Sequence, residues 1–377
     1  MGMLFFGISL VTLGSVVPGL KEKFHLDEIS SGTLFSTLPF GILVGSLLFG
    51  PFCDKYGYKI LLVLACFSMF AGFEGIAFAA SYTLLQVCIF LFGLGGGIIN
   101  GATNALVSDI SEKDKGAGLS LLGVFYGIGA LGMPFLIGIL ENIFKYDVIV
   151  CIVGVAIFVL GFFYLFIKFP PPKQKTGVRV ADSFRLIKDG VLILVAFFLF
   201  CQSSFEAIIN NWITTYLTRK LAIPSSSALY ALSLFVAGMI VMRLLLGSLF
   251  RHTAVKKIWI GSFWLVLIGL ILLSSGRSFG TAIAGLICLG GGFAAGFPIM
   301  LGLVGDRYQE HSGTAFSLVL VIALSGNMLI NYCMGIVVQK YGIHHLMTVS
   351  FAELAVMTAL CFVIIRRLYK DAPPAKK

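Results

Sequence analysis

Apolar residues in this chain come in long unbroken runs and do not alternate with polar ones. Twelve runs stand out, over residues 3–20, 31–52, 58–80, 82–106, 116–140, 146–168, 189–217, 226–250, 257–274, 279–304, 312–338 and 343–367. A helix rises about 1.5 Å per residue, so about 20 apolar residues cross a hydrocarbon layer of about 30 Å. A barrel strand would need only about 10 residues and would alternate. The pattern therefore predicts an all-α membrane protein with twelve transmembrane helices. One segment departs from it. Residues 169–188 open on Pro170, Pro171 and Pro172 and continue with basic and polar residues. Proline supplies no backbone N–H, so this triplet ends the sixth helix. The expected organisation is a six-helix bundle over residues 1–168, a linker over 169–188 and a second six-helix bundle over 189–377.

The two bundles read as copies of one another. Gly93, Gly95, Asp109, Gly116, Ser120, Gly129 and Gly138 recur 197 positions later as Gly290, Gly292, Asp306, Gly313, Ser317, Gly326 and Gly335. Gly41, Gly50 and Gly72 recur at the same offset as Gly238, Gly247 and Gly269. An internal repeat on this scale predicts two pseudo-symmetric halves. Two such halves joined by a basic linker suggest a transporter that rocks around a central site.

Composition agrees. The chain is 58% hydrophobic and only 12% charged, against about 25% charged in soluble domains. Its net charge of +10 does not point to nucleic acid as a partner. With the amino terminus in the cytoplasm, nineteen Lys and Arg fall in cytoplasmic loops and the carboxyl tail and seven in external loops. That asymmetry places both termini inside. Only Arg243 is left within a span. The eight cysteines show neither paired nor metal-like spacing, so packing is expected of them, with no metal and no cofactor.

A carboxylate inside lipid is costly and marks a cavity or a partner. Glu206 is such a group, and Gln202, Glu206 and Asn210 share one face of the seventh helix. Asn100 and Asn104 share a face of the fourth helix, as do Asn327 and Asn331 on the eleventh. Amides both donate and accept, which suits a hydroxyl-rich solute, although asparagine also joins helices to one another. Trp212 can stack on the apolar face of a sugar or anchor the helix at the outer interface. Tyr126, set among Gly123, Gly127 and Gly129, can reach the cavity or simply pack. Arg243 is expected near the inner gate, paired with a carboxylate or with helix-end carbonyls.

Gly50 to Lys59 reads GPFCDKYGYK, between the second and third spans. This resembles the loop pattern G-x-x-x-D-[RK]-x-G-x-[RK]-[RK] of the major facilitator superfamily, with Ile60 replacing the last basic residue. More narrowly, the chain resembles the fucose-permease-like sugar transporters. NGATNALVSD with GLSLLGVFYGIGALGMP matches their fourth and fifth helices, SSFEAIINNWITTYL their seventh, and FFGISLVTLGSVVPGL their first. The resemblance implies the superfamily fold. It also implies a monosaccharide or related polar solute, moved by alternating access with a cation, proton or sodium. Glu206, Trp212 and Tyr216 fall at matching places. Three features depart from proton-coupled members. The first helix offers only Ser9, Thr12 and Ser15 in place of an Asp, Asn100 lies near where they carry a carboxylate, and Tyr126 lies near where they carry an Asn. The coupling residue expected here is therefore Glu206. Asp54, Lys59 and Asp109, at the cytoplasmic surface, are expected to help Arg243 close the inner gate.

The expected partners are a small-molecule substrate, a coupling ion and the lipid bilayer of a bacterial inner membrane, with the chain a monomer. Two rivals stay open: proton-driven efflux of drugs or metabolites, for which Gly129, Pro134 and Gly138 match half of an antiporter signature, and a membrane sugar sensor. No H-E-x-x-H or Ser-His-Asp set suggests an enzyme.

Overall fold

The computed structural model describes residues 1–110, 115–141, 143–170, 189–250, 253–276, 278–308 and 312–371. Within these ranges the side chains of 50, 51, 54, 108, 109, 115–120, 306, 312–314, 317 and 368–371 are not described. Twelve helices among them are long and apolar enough to span a membrane. They are α1 Gly2–Phe24, α2 Glu28–Phe49, α3 Lys55–Phe78, α4 Tyr82–Ile110, α5 Lys115–Leu140, α6 Tyr146–Phe166, α7 Gly190–Lys220, α8 Ser225–Gly247, α9 Val255–Ser275, α10 Phe279–Gly305, α11 Ser312–Tyr341 and α12 His345–Asp371. Each falls within a few residues of its predicted run.

Two breaks have clear causes. The helical run from α2 into α3 turns at Gly57, where φ is 76° and ψ 172°, a conformation that only glycine adopts freely. This is the second glycine of the GPFCDKYGYK loop. The other break lies inside α10, which stops at Phe293 and restarts at Gly296. Pro298 has no N–H for the Ala294 carbonyl and its ring crowds that carbonyl, so the helix kinks one turn before it.

Lipid gives helices no hydrophobic reason to associate, so close packing of small residues holds them. The repeated glycines occupy the same crossings in both halves. Gly41 and Gly93 bring α2 against α4, as Gly238 and Gly290 bring α8 against α10. Gly95 seats α4 on Ala65 and Met69 of α3, and Gly292 seats α10 on Ser262 and Val266 of α9. Gly129 lets α5 meet α1 at the Leu4 carbonyl, and Gly326 lets α11 meet α7 at Phe200. The 197-residue repeat is thus a repeat of helix crossings. None of the eight cysteines forms a disulfide.

The bundle has two ends. The linker face carries the end of α6 and the start of α7, and the distal face carries the α1–α2 and α7–α8 turns. The halves meet along α1 with α7, α2 with α11, and α5 with α8.

Candidate functional site

The seam between α5 and α8 is closed from the distal face to mid-membrane and open beyond. At the distal end Phe135 meets Tyr230 with ring centroids 5.8 Å apart, and Gly138 faces Tyr230 and the Ser226 carbonyl. Two to three turns nearer the linker face, a Cβ at Gly127 would lie 2.6 Å from Ile240 Cδ1. One turn further, a Cβ at Gly123 would meet nothing within 4 Å among the described residues, and neither would one at Gly247 on the facing helix. The two helices therefore part toward the linker face.

Charged and polar groups gather where they part. Tyr126 precedes Gly127 on α5, and Arg243 follows Ile240 by three residues on α8. Glu206 of α7 interacts electrostatically with Arg243, and Tyr126 with both. All three are half-buried. Gln202, only 1% exposed, fixes Glu206 from behind. Its Nε2 donates to Glu206 Oε1 at 2.9 Å and to the Phe293 carbonyl at 3.0 Å, at the α10 break. Gly296 keeps that contact possible, because a Cβ there would overlap the Gln202 amide. Asn210, the third residue of the predicted stripe, lies where α7 crosses α1 at Gly14.

On α4, Asn104 Nδ2 donates to the Asn100 carbonyl at 2.8 Å and to its Oδ1 at 3.0 Å, and both residues are half-buried. Gly96, one turn away on their face, packs toward Phe6 and Ser9 of α1, and Phe6 abuts Tyr126 at 5.9 Å. The asparagines of α11 lie elsewhere. Asn331 is fully buried, donates to Asn327 and accepts from Asn211 Nδ2 at 3.1 Å. Trp212 is also fully buried, edge-on to Phe35 of α2 at 5.3 Å, with Lys21 Nζ 5.7 Å from its ring centroid. Trp212 and Asn331 are thus packed into the closed distal part of the molecule and do not line the opening.

That closure was not legible in the chain. Glu28 of α2 pairs with Lys21 of α1 and, at 2.6 Å, with Arg219 of α7. Beside it the Ile29 N–H donates to Gln339 Oε1 at 3.1 Å, Ser36 Oγ to the Met328 carbonyl at 2.7 Å, and Thr214 Oγ1 to the Gly14 carbonyl at 3.3 Å. All four of these contacts between the halves lie on the distal side. The signal in the chain is three charges at span ends on one face, Lys21, Glu28 and Arg219. Of the residues expected at the inner gate, Lys59 is exposed on α3. The side chains of Asp54 and Asp109 lie outside those described. Arg243 stands with Glu206 and Tyr126 where the helices part. Glu74 and Glu353 stay within their own halves, beside Cys151 of α6 and Cys201 of α7.

The sequence model of the Major Facilitator Superfamily matches residues 1–255 and 195–377 of the chain. The inner membrane transport protein YdiN of Escherichia coli is 23% identical, over 97% of this chain and 88% of its own. The glucose/mannose transporter GlcP of Bacillus subtilis is 25% identical, over 99% and 95%. The crystal structure of a D-xylose-proton symporter superposes with a TM-score of 0.80 at 14% identity, covering 96% of this chain and 94% of that one.

Proposed function

We propose a solute and a mode of action for a chain that belongs to the Major Facilitator Superfamily, and so is a multi-pass inner-membrane transporter and not an enzyme. The solute is small, polar and hydroxyl-rich, of the size of a monosaccharide, and it enters by symport with a proton. One observation carries this reading. Gln202, Glu206, Tyr126 and Arg243 converge at the apex of a cleft between the halves. Polar groups at membrane depth that line an opening are the pattern of a solute site. The names of the sugar-transporting relative and structural neighbour agree with it.

With the linker face in the cytoplasm, as the Lys and Arg distribution favours, this conformation is inward-facing. The distal contacts close the outer side, and the parted α5 and α8 admit solute from the cytoplasm. Alternating access then requires the distal contacts to break while the inner ends of the same helices come together. Glu206 is placed to couple the two. It is the one carboxylate among the described residues at the apex, and the amide of Gln202 orients it.

Counterflow of labelled monosaccharides in proteoliposomes, with no ion gradient, tests the reading, with Glu206→Gln measured beside the parent. Exchange by both, with gradient-driven uptake lost only in the variant, supports Glu206 as the coupling group. Loss of exchange as well would make Glu206 a binding group. No exchange of any polar solute by folded protein would overturn the reading in favour of efflux of apolar compounds.

A further inference from the structure

Arg243 is a cation at membrane depth without an ion-pair or hydrogen-bond partner among the described residues. Its Nε is buried with no hydrogen-bond partner among the described residues. Glu206 lies near enough to act on it electrostatically, yet the two form no ion pair within 4.0 Å. Glu206 is held back by Gln202, which is itself anchored to Phe293. Tyr126 faces both from the other half. Beside them Gly123 leaves open space.

An unpaired cation in a poorly solvated site is costly, and membrane proteins keep one where a ligand or pathway uses it. Hydroxyl groups do not call for a guanidinium, because Tyr126 and the amides of Asn100 and Asn104 can serve them. A guanidinium offers a planar fork of N–H donors that matches a carboxylate through two parallel hydrogen bonds. The charges also balance. Arg243 with a bound carboxylate is neutral, and a proton on Glu206 leaves the loaded site without net charge. A second carboxylate beside an ionised Glu206 would meet repulsion instead. Binding of the anion and binding of the proton then favour one another.

We propose that the transported solute is a hydroxylated monocarboxylate, a sugar acid and not a neutral sugar, and that Arg243 is the residue that takes its carboxylate. The inference rests on reading the cleft as the solute site.

The experiment is counterflow in proteoliposomes with three labelled probes: glucuronate, glucose and benzoate. The parent is compared with Arg243→Lys and Arg243→Gln, and thermal unfolding in detergent is followed with and without each probe. The expected result is glucuronate exchange at least tenfold faster than glucose exchange. Arg243→Gln should lose at least tenfold of it and Arg243→Lys less. Glucuronate should raise the melting temperature of the parent and not that of Arg243→Gln. Preferential exchange of glucose would overturn the carboxylate anchor and leave the polar-solute reading standing. Preferential exchange of benzoate would do the reverse, keeping the anchor while removing the hydroxyl-rich solute. Parental glucuronate exchange by Arg243→Gln would overturn the role of Arg243, and exchange of none of the three by folded protein would overturn both readings.

Discussion

Glu28 on α2 accepts a hydrogen bond from Arg219 on α7 at 2.6 Å, an ion pair that joins the two halves. Glu28 also holds Lys21 of its own half, so a single carboxylate ties α1 and α2 to the end of α7. Arg219 is half exposed, which limits such a pair to about 0–1 kcal/mol. A small energy still matters where two conformations differ by only a few kcal/mol. Glu28→Gln should therefore move the population from the distally closed form by up to about fivefold, the equivalent of about 1 kcal/mol. Spin labels at Ala80 and Ala222, one in each half on the distal face, would report it as growth of a longer-distance population. An unchanged distance distribution would mean that the hydrogen bonds around Ser36 and Thr214 hold the closure without the pair.

Gln202 should matter for stability as well as transport. Its amide N–H groups serve two acceptors at once, Glu206 and the carbonyl freed by the α10 break. Gln202→Leu keeps similar bulk and leaves both unserved. A buried acceptor stripped of its donor costs about 1–3 kcal/mol. Thermal unfolding in detergent should fall accordingly, and Gln202→Glu should not rescue it, since a carboxylate there cannot donate to either acceptor unless protonated. A variant that melts with the parent would show that water replaces the amide.

The span pattern carried nearly the whole architecture, because lipid permits no backbone arrangement in these runs other than a helix with its own hydrogen bonds satisfied. The repeat carried more than symmetry. Gly93 and Gly290, or Gly129 and Gly326, mark the same crossings in each half, since only glycine lets one helix touch the carbonyls of another. The candidate site was legible in part. Charge and amide residues at membrane depth are rare enough to stand out, and Glu206 with Gln202 did so. What could not be read was which residues meet across the halves. Trp212 shares α7 with Gln202 and Glu206, but the distally closed arrangement buries its level of the bundle and that of Asn331 on α11. Glu28 and Arg219 lie 191 residues apart in the chain, and nothing in their local patterns pairs them. Arg243 was visible as an odd charge, yet its lack of an ion-pair partner among the described residues is a property of three dimensions only.

The glycines separate into two classes that alanine should distinguish. At Gly129 and Gly326 a Cβ would press into the backbone carbonyls of Leu4 and Phe200, which cannot rotate away. Forcing a methyl into such a contact costs about 1–3 kcal/mol. At Gly123 and Gly247 a Cβ would meet nothing, and alanine is also the better helix former by about 1 kcal/mol. Gly129→Ala and Gly326→Ala should therefore lower the melting temperature, while Gly123→Ala and Gly247→Ala leave it unchanged or raise it. A loss of stability at Gly123 equal to that at Gly129 would contradict the open seam between α5 and α8.

Asp27 links pH to the distal closure. It caps α2, with its Oδ1 accepting the Ser30 N–H at 2.7 Å, immediately before Glu28. The side chain and the backbone N–H of Ser30 hold its carboxyl below the usual carboxylate range. The sign follows from linkage. A carboxyl whose folded pKa lies below its unfolded value of about 3.9 adds stability that is complete above that value and is lost as pH falls through the folded pKa. Replacing an aspartate cap by alanine costs about 1 kcal/mol, and asparagine caps nearly as well. Asp27→Ala should thus melt below the parent at pH 7, and the gap should narrow as the pH drops below about 4. Asp27→Asn should stay near the parent at pH 7 and lack that part of the acid sensitivity. The same variants carry a functional reading, because a frayed first turn of α2 releases Glu28 from the geometry that meets Arg219. Spin labels at Ala80 and Ala222 should then show Asp27→Ala shifted in the same direction as Glu28→Gln, by less. A stable Asp27→Ala with an unshifted distance distribution would show that the packing of Gly32 against Gly335 positions this turn without the cap.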